Sequence, residues 1–480
     1  MLFLTVLAST ACGGDSHKST HEEPDDGGPA DAAALPRQNE DAGEPAKDAG
    51  RAWYFDKPDA SEEMPTENLD TMPWELVPED QVREACKLDP EALKAADAIL
   101  NTPWAVVRYG KLCHQYKVEG MPLVGAWSAT KTLGALVTGM VAYQTREIPA
   151  TAELKKGPLS DADRIDHWLD ADNEKFTYNK DAKIAHVLAM IAHNTDLSYD
   201  PSGLRKRSMQ YDTLGTVQIN SLSDVLNTAI AQDPARLGAN LEEFTQRFLF
   251  KKLGLAHSSW NNGSPDKVLA FSWITDVYDM AKVGLLMLRG GVWKGERLLD
   301  AEWIYRMTHP SFEDANTGYG YLTWLNSASG YGLGIADLAT GPLPVGPLLP
   351  GSCAPVALHK SYPHPPLMES PNCGYTLPYT CSQQYDVGVW QAIGVGGQVI
   401  QGHPGLDLVV VGVNLTPVNT FDPAMLSLED LAQQNSPAKL WDALRPAVVN
   451  ADPTYADDNT AFCMAYGGNN YAPDWKASAP

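Results

Sequence analysis

The stretch Gly125-Ala-Trp-Ser-Ala-Thr-Lys-Thr-Leu-Gly-Ala-Leu-Val-Thr-Gly-Met140 constrains this chain more than any other. Leu133, Leu136, Val137, Met140 and Val141 recur at i, i+3, i+4, i+7 and i+8, the spacing of a helix with one face in a core. Ser128 stands at the head of this run and Lys131 three residues on, which on a helix is about one turn along the same face. A serine hydroxyl is a weak nucleophile at neutral pH, and an amine stripped of its proton by burial is one of few groups that can accept the hydroxyl proton. The helix N-terminus also offers unpaired N–H groups to a developing oxyanion.

Ser-x-x-Lys alone is a weak pattern, and it occurs at Ser128/Lys131, Ser264/Lys267 and Ser436/Lys439. Ser264-Pro-Asp-Lys267 follows Asn261-Asn262-Gly263 and reads as a polar turn. Ser436-Pro-Ala-Lys439 reads as an N-cap with proline at N1, opening a surface helix. Only Ser128 precedes a helix with the pattern of a buried one.

The chain has 480 residues, of which 44% are hydrophobic, enough for a large core and two or three domains. Its formal net charge of −24 argues against nucleic-acid partners and against electrostatic attraction to anionic lipid. The opening Met1-Leu-Phe-Leu-Thr-Val-Leu-Ala-Ser-Thr-Ala-Cys12 is apolar, too short to span a bilayer, and ends in small residues and a cysteine. It resembles the end of a bacterial lipoprotein signal, which implies lipidation of Cys12 and an exported protein of the bacterial cell envelope, held to the membrane only through that anchor. No Lys or Arg precedes the apolar run and Ser9 replaces the usual leucine, so the true start could lie upstream of Met1, and an ordinary signal peptide is the alternative.

Besides Cys12 there are six cysteines: Cys86, Cys113, Cys353, Cys373, Cys381 and Cys463. An even number in an exported chain suggests up to three disulfides, with fifteen pairings open. Neither C-x-x-C nor H-E-x-x-H spacing occurs, so no metal site and no cofactor is expected.

Residues 1–12 read as a signal segment and 13–70, rich in Asp, Glu, Ala, Pro and Gly, as a disordered acidic tether. A helical stretch near Gln81–Leu100 precedes a β-hairpin over 105–118 around Tyr109-Gly110. Helical periodicity follows at Ile184–Ile191, at Leu222–Ile230, at Leu241–Phe248 and at Val277–Met287. Strand signals return at Tyr319–Leu325, Val387–Ile393, Gly397–Gln401 and Asp407–Val413, the last pair bracketing a His403-Pro-Gly405 turn. A last helix carries Leu440, Trp441 and Leu444 toward the sheet. Strands at both ends with helices between predict an α/β domain, 71–145 and 310–480, interrupted by a mainly helical domain, 146–309. The long Pro/Gly-rich segment Ser327–Cys381 reads as a functional loop held by disulfides, suited to roofing a site.

Trp127-Ser-Ala-Thr-Lys131 opening an apolar helix resembles the nucleophile motif of the serine β-lactamase/penicillin-binding-protein superfamily. A Tyr-x-Asn-like element matches Tyr211-Asp-Thr213, with threonine for asparagine, and a Lys-Thr-Gly-like strand matches Ala392-Ile-Gly394 in Gln391-Ala-Ile-Gly-Val-Gly-Gly397. The segments Phe271–Leu288 and Gly291–Leu298 are most similar to the class C-like esterases and 6-aminohexanoate-dimer hydrolases of that superfamily. The resemblance covers about 105–413 and implies an antiparallel sheet flanked by helices, of β-lactamase/transpeptidase type, with an all-helical inserted domain.

It also implies that Ser128 attacks a carbonyl, Lys131 takes its proton, and Tyr211 relays a proton to the leaving group. The oxyanion would be held by the backbone N–H groups of Ser128 and Val395, and Gly394, Gly396 and Thr213 would line the substrate site. Ala392 and Ile393 supply neither charge nor hydroxyl, which points away from a substrate carboxylate and toward small esters or amides. A penicillin-binding-type amidase or β-lactamase, and a catalytically silent lipid-anchored binding protein, are the alternatives. A Ser–His–Asp hydrolase is disfavoured, because no G-x-S-x-G elbow surrounds Ser128, and His193 and Asn194 read as helix-end caps. The sequence leaves the oligomeric state open.

Overall fold

A computed structural model of the chain describes residues 74–146, 156–169, 182–192, 213–260, 267–309, 311, 319–325, 331–333, 376–378, 389–394, 396–415 and 437–449. The signal segment, the tether, Cys12, His193, Asn194, Tyr211, Val395 and most of the Ser327–Cys381 loop lie outside the described residues.

A six-stranded antiparallel sheet is the frame. Its strands are β1 (Trp104–Arg108), β2 (Lys111–Tyr116), β3 (Trp324–Leu325), β4 (Trp390–Gly394), β5 (Gln398–His403) and β6 (Leu408–Gly412), in the order β2-β1-β6-β5-β4-β3. The β1–β2 hairpin turns at Tyr109 and Gly110, whose φ angles are 53° and 74°, the left-handed pair that a two-residue hairpin turn requires. Strands far apart in sequence meet in the middle of the sheet, where β1 pairs with β6 from Trp104↔Gly412 to Arg108↔Leu408.

Both faces are covered, which explains the unbroken apolar run Val409-Val410-Val411. On one face Val107, Ile400, Val409 and Val411 join a core that includes α3 (Thr130–Arg146) and α5 (Val277–Leu288). On the other, Val106, Val399, Leu408 and Val410 pack with α1 (Glu79–Ala85), α2 (Pro90–Leu100) and α7 (Pro437–Leu444). The stretch expected as one helix over 81–100 is two. Asp89 ends the link between them by accepting from the N–H groups of Glu91 and Ala92 at 2.9 and 3.1 Å, with Pro90 starting the second helix. Cys86, just after α1, is disulfide-bonded to Cys113 in β2, which settles one of the pairings the sequence left open. In α7, Trp441 stacks on the His403 ring of β5 at 4.2 Å.

The region expected to be all-helical is not wholly so. Its helices include α4 (Thr213–Ile230) and α6 (Ala301–Thr308), but Ser259–Trp260 and Trp273–Thr275 are strands that join Val124–Gly125 in a three-stranded sheet. The aromatic and β-branched run Trp273-Ile-Thr prefers an extended backbone, and it pairs with the residues leading into Ser128. Nor does α5 stand apart from the main sheet: Gly284 lies against Val409 and Ile400 with no room for a Cβ. No helix among the described residues is long and apolar enough to cross a membrane.

Candidate active site

Ser128 sits in a single 3-10 turn, Trp127–Ala129, that runs directly into α3. Trp127 adopts φ 48°, a left-handed conformation uncommon for a bulky residue and typical of a tight turn that aims its neighbour. Strand pairing holds the entry to this turn: Ala126 N–H donates to the Trp273 carbonyl at 2.7 Å, and Thr130 Oγ1 accepts from Trp273 N–H at 3.2 Å. From Thr130 to Val141 every residue of α3 is buried, so the nucleophile turn rests on a helix fixed on all sides. Gly139 makes room for the Trp303 ring of α6, whose indole N–H donates to the Ala135 carbonyl at 3.0 Å.

One turn into α3, the Lys131 amine lies 2.9 Å from the Ser128 hydroxyl oxygen and 3.1 Å from the carbonyl oxygen of Ala270. Lys131 is 3% exposed, whereas Ser128 is half-buried. Burial penalises the ammonium form and pulls the lysine down to about 7. A substantial share of the amine is therefore unprotonated near neutral pH and carries a lone pair within hydrogen-bond reach of the serine proton. The hydroxyl is open to a ligand while its base is sealed from water.

The third sequence motif arrives at the same place. At the end of β4, Gly394 abuts the Ala126 carbonyl, two residues before Ser128, so closely that a Cβ could not be accommodated. Beyond it Gly396 and Gly397 turn with φ 89° and 84°, and the Gly397 N–H donates to the Gly394 carbonyl at 3.2 Å. Of the residues expected at the site, the structure thus brings together Ser128, Lys131 and Gly394, with Gly396 in the adjoining turn. Thr213 opens α4, but its side chain, like Tyr211 and Val395, is outside the described residues.

Sequence reasoning missed the Ala270 carbonyl and the residue behind it, Asn220, whose Oδ1 accepts from the Ala270 N–H at 3.0 Å. A backbone acceptor leaves no trace in residue type, and Asn220 stands in α4 without a motif of its own. The second Ser-x-x-Lys lysine is also not where a polar turn would leave it. Lys267 is 2% exposed, donates to the Trp260 carbonyl at 2.9 Å and is ion-paired with Glu242, and burial pulls it down to about 8.

No protein-family model matches the chain, and no curated protein does. Solved structures similar to it are β-lactamase-like proteins, penicillin-binding-protein homologues and carboxylesterases, the superfamily that the sequence motifs resemble. A penicillin-binding protein homologue from Caulobacter crescentus has a TM-score of 0.42 and 10% identity, over 74% of this chain and 99% of that one. For a β-lactamase from Mycobacterium bovis the values are 0.41 and 12%, over 78% and 99%. For a family VIII carboxylesterase they are 0.38 and 13%, over 77% and 98%. At such values no activity passes from these proteins to this chain, and its chemistry is read from the site.

Proposed function

We propose that the protein is an exported serine hydrolase that cleaves small carboxylic esters or amides through an acyl-enzyme on Ser128. The observation that carries this reading is the Lys131 amine, buried, pulled down to about 7 and 2.9 Å from the Ser128 oxygen. The neutral amine takes the serine proton as Oγ attacks the substrate carbonyl. The C–O or C–N bond then breaks, the leaving group takes a proton, and water cleaves the Ser128 ester by the same route in reverse order. Tyr211 is assigned the proton relay to the leaving group, and the N–H groups of Ser128 and Val395 the oxyanion.

The apolar third motif supports ester or amide substrates. Ala392 is buried and Ile393 half-buried on β4, and neither can hold a substrate carboxylate as an ionic or hydroxyl side chain would. Export and lipidation at Cys12 complete the proposal.

Purified protein and its Ser128→Ala variant, compared on p-nitrophenyl butyrate, give the test. Hydrolysis by the parent and none above the buffer rate by the variant is expected, and equal rates would refute the assignment. A fluorophosphonate should label the parent on Ser128, while the silent-protein alternative requires no label. Acylation by a labelled penicillin would instead favour the penicillin-binding-type reading.

A further inference from the structure

Two peptide segments must stay in register for the Ser128/Lys131 pair to work, and they are far apart in sequence. One is the nucleophile turn. The other is Ala270-Phe-Ser-Trp273, whose first carbonyl accepts from Lys131 at 3.1 Å.

That carbonyl matters for a geometric reason. A neutral amine has two N–H groups and one lone pair, and only a lone pair aimed at the Ser128 O–H can take the proton. An acceptor that holds one N–H restricts the lone pair to the two remaining tetrahedral positions, and where the acceptor sits decides whether one of them faces the Ser128 hydroxyl. The Ala270 carbonyl is such an acceptor, so the direction of the base depends in part on where residue 270 is held.

At its far end the segment is held by the nucleophile turn itself, through Ala126 N–H to the Trp273 carbonyl and Trp273 N–H to Thr130 Oγ1. Between the ends, Ser272 adopts φ 121°, a conformation essentially confined to glycine and maintained only when the surroundings over-determine it. At its near end the bond that holds residue 270 comes from α4: Asn220 Oδ1 accepts from the Ala270 N–H at 3.0 Å. Leu269 packs on Gly134 of α3 just before it. Freed at that end, a segment strained at Ser272 has a route to relax, and the Ala270 carbonyl turns with it.

We propose that Asn220 is a positioning residue for the general base, holding the Ala270 carbonyl in the place from which it orients the Lys131 amine toward Ser128. This rests on the serine hydrolase reading above. Asn220 needs no contact with substrate in this role. What it contributes is one acceptor oxygen, from the middle of α4.

The test uses p-nitrophenyl butyrate at pH 9, above the titration of the Lys131 amine, with the full chain. Asn220→Leu keeps the side-chain volume and deletes the acceptor; Asn220→Asp keeps the acceptor. The expected result is a fall in kcat of about 100-fold for N220L with KM little changed, and recovery to within about tenfold of the parent for N220D. A kcat for N220L within twofold of the parent would overturn the proposal, as would N220D no better than N220L. A rise in KM at constant kcat would also overturn it, since that marks a substrate contact. If N220L does not fold, N220S serves, its hydroxyl being too short to reach the Ala270 N–H. Ser128→Ala is assayed alongside: an active S128A variant sinks the hydrolase reading, whereas an inactive S128A with an active N220L sinks this inference alone.

Discussion

Gly394 and Ala126 approach each other so closely that a Cβ on the glycine would overlap the Ala126 carbonyl oxygen. Strand β4 therefore reaches the nucleophile turn only because its last residue is glycine. Gly394→Ala should push the β4 end and the turn after it away from Ser128. Overpacking of this kind costs about 1–3 kcal/mol, and a displacement of about an ångström beside a reacting centre costs on the order of 100-fold in rate. We expect a fall in Tm together with a larger loss of kcat than of substrate affinity, measured by thermal unfolding and ester kinetics. A variant with parental kcat would show that β4 does not shape the site.

With Lys131 as the base of the proposed mechanism, its titration sets the pH dependence. Lys131 must be neutral to accept the serine proton, and burial pulls it down to about 7. The rate kcat/KM on a neutral ester should therefore rise with pH through an apparent pKa near 7 and level off above it, tenfold lower for each unit well below. Lys131→Arg, which cannot lose its proton in this range, should be inactive at every pH from 6 to 9. A profile flat across that interval would exclude Lys131 as base.

The same burial should cost stability. Lysine ordinarily titrates near 10.5, and Lys131 is held near 7 in the folded chain, so between those values the unfolded chain binds more protons and folding becomes more favourable as pH rises. The destabilisation is thus complete below about pH 7 and gone above about pH 10.5. Lys131→Met, which fills the site without a charge, should raise Tm at pH 6.5 by more than at pH 10 while abolishing hydrolysis. Thermal unfolding of both proteins at the two pH values checks the sign, and a larger gain at pH 10 would contradict it.

Much of this was legible because local periodicity and turn chemistry agree with the fold. The 3.6-residue stripe from Leu133 to Val141 predicted a core helix, and every residue of α3 from Thr130 to Val141 is buried. Tyr109-Gly110 predicted the hairpin and adopts its left-handed turn. Ser128 and Lys131 were legible because their contact is local, three residues apart where a 3-10 turn runs into α3. What was not legible depends on distant chain or on backbone. The Ala270 carbonyl reaches Lys131 across 139 residues through an atom common to all residue types. Lys267 reads as a turn lysine because Ser264-Pro-Asp precedes it, and only tertiary packing against Trp260 and Glu242 buries it. Asp89-Pro90 did carry the signal that divides the first helix, an N-cap followed by proline, but the apolar pattern on either side masked it.

The Cys86–Cys113 disulfide ties the end of α1 to the hairpin strand β2, on the sheet face opposite α3. It closes a loop with a sequence separation of 27, for which the chain-entropy account gives about 3–4 kcal/mol of stabilisation through the unfolded state. Cys86 and Cys113 are 0% and 1% exposed, so reductant should reach the bond only as the chain opens. The paired variant Cys86→Ala/Cys113→Ala should unfold at lower denaturant with a nearly unchanged slope, and the parent should match it only when unfolded and refolded under reductant. Because the bond lies on the far face of the sheet from Ser128, ester hydrolysis at 25 °C should be retained in the variant. Loss of hydrolysis in a variant that remains folded would mean that α1 and β2 brace the site from behind.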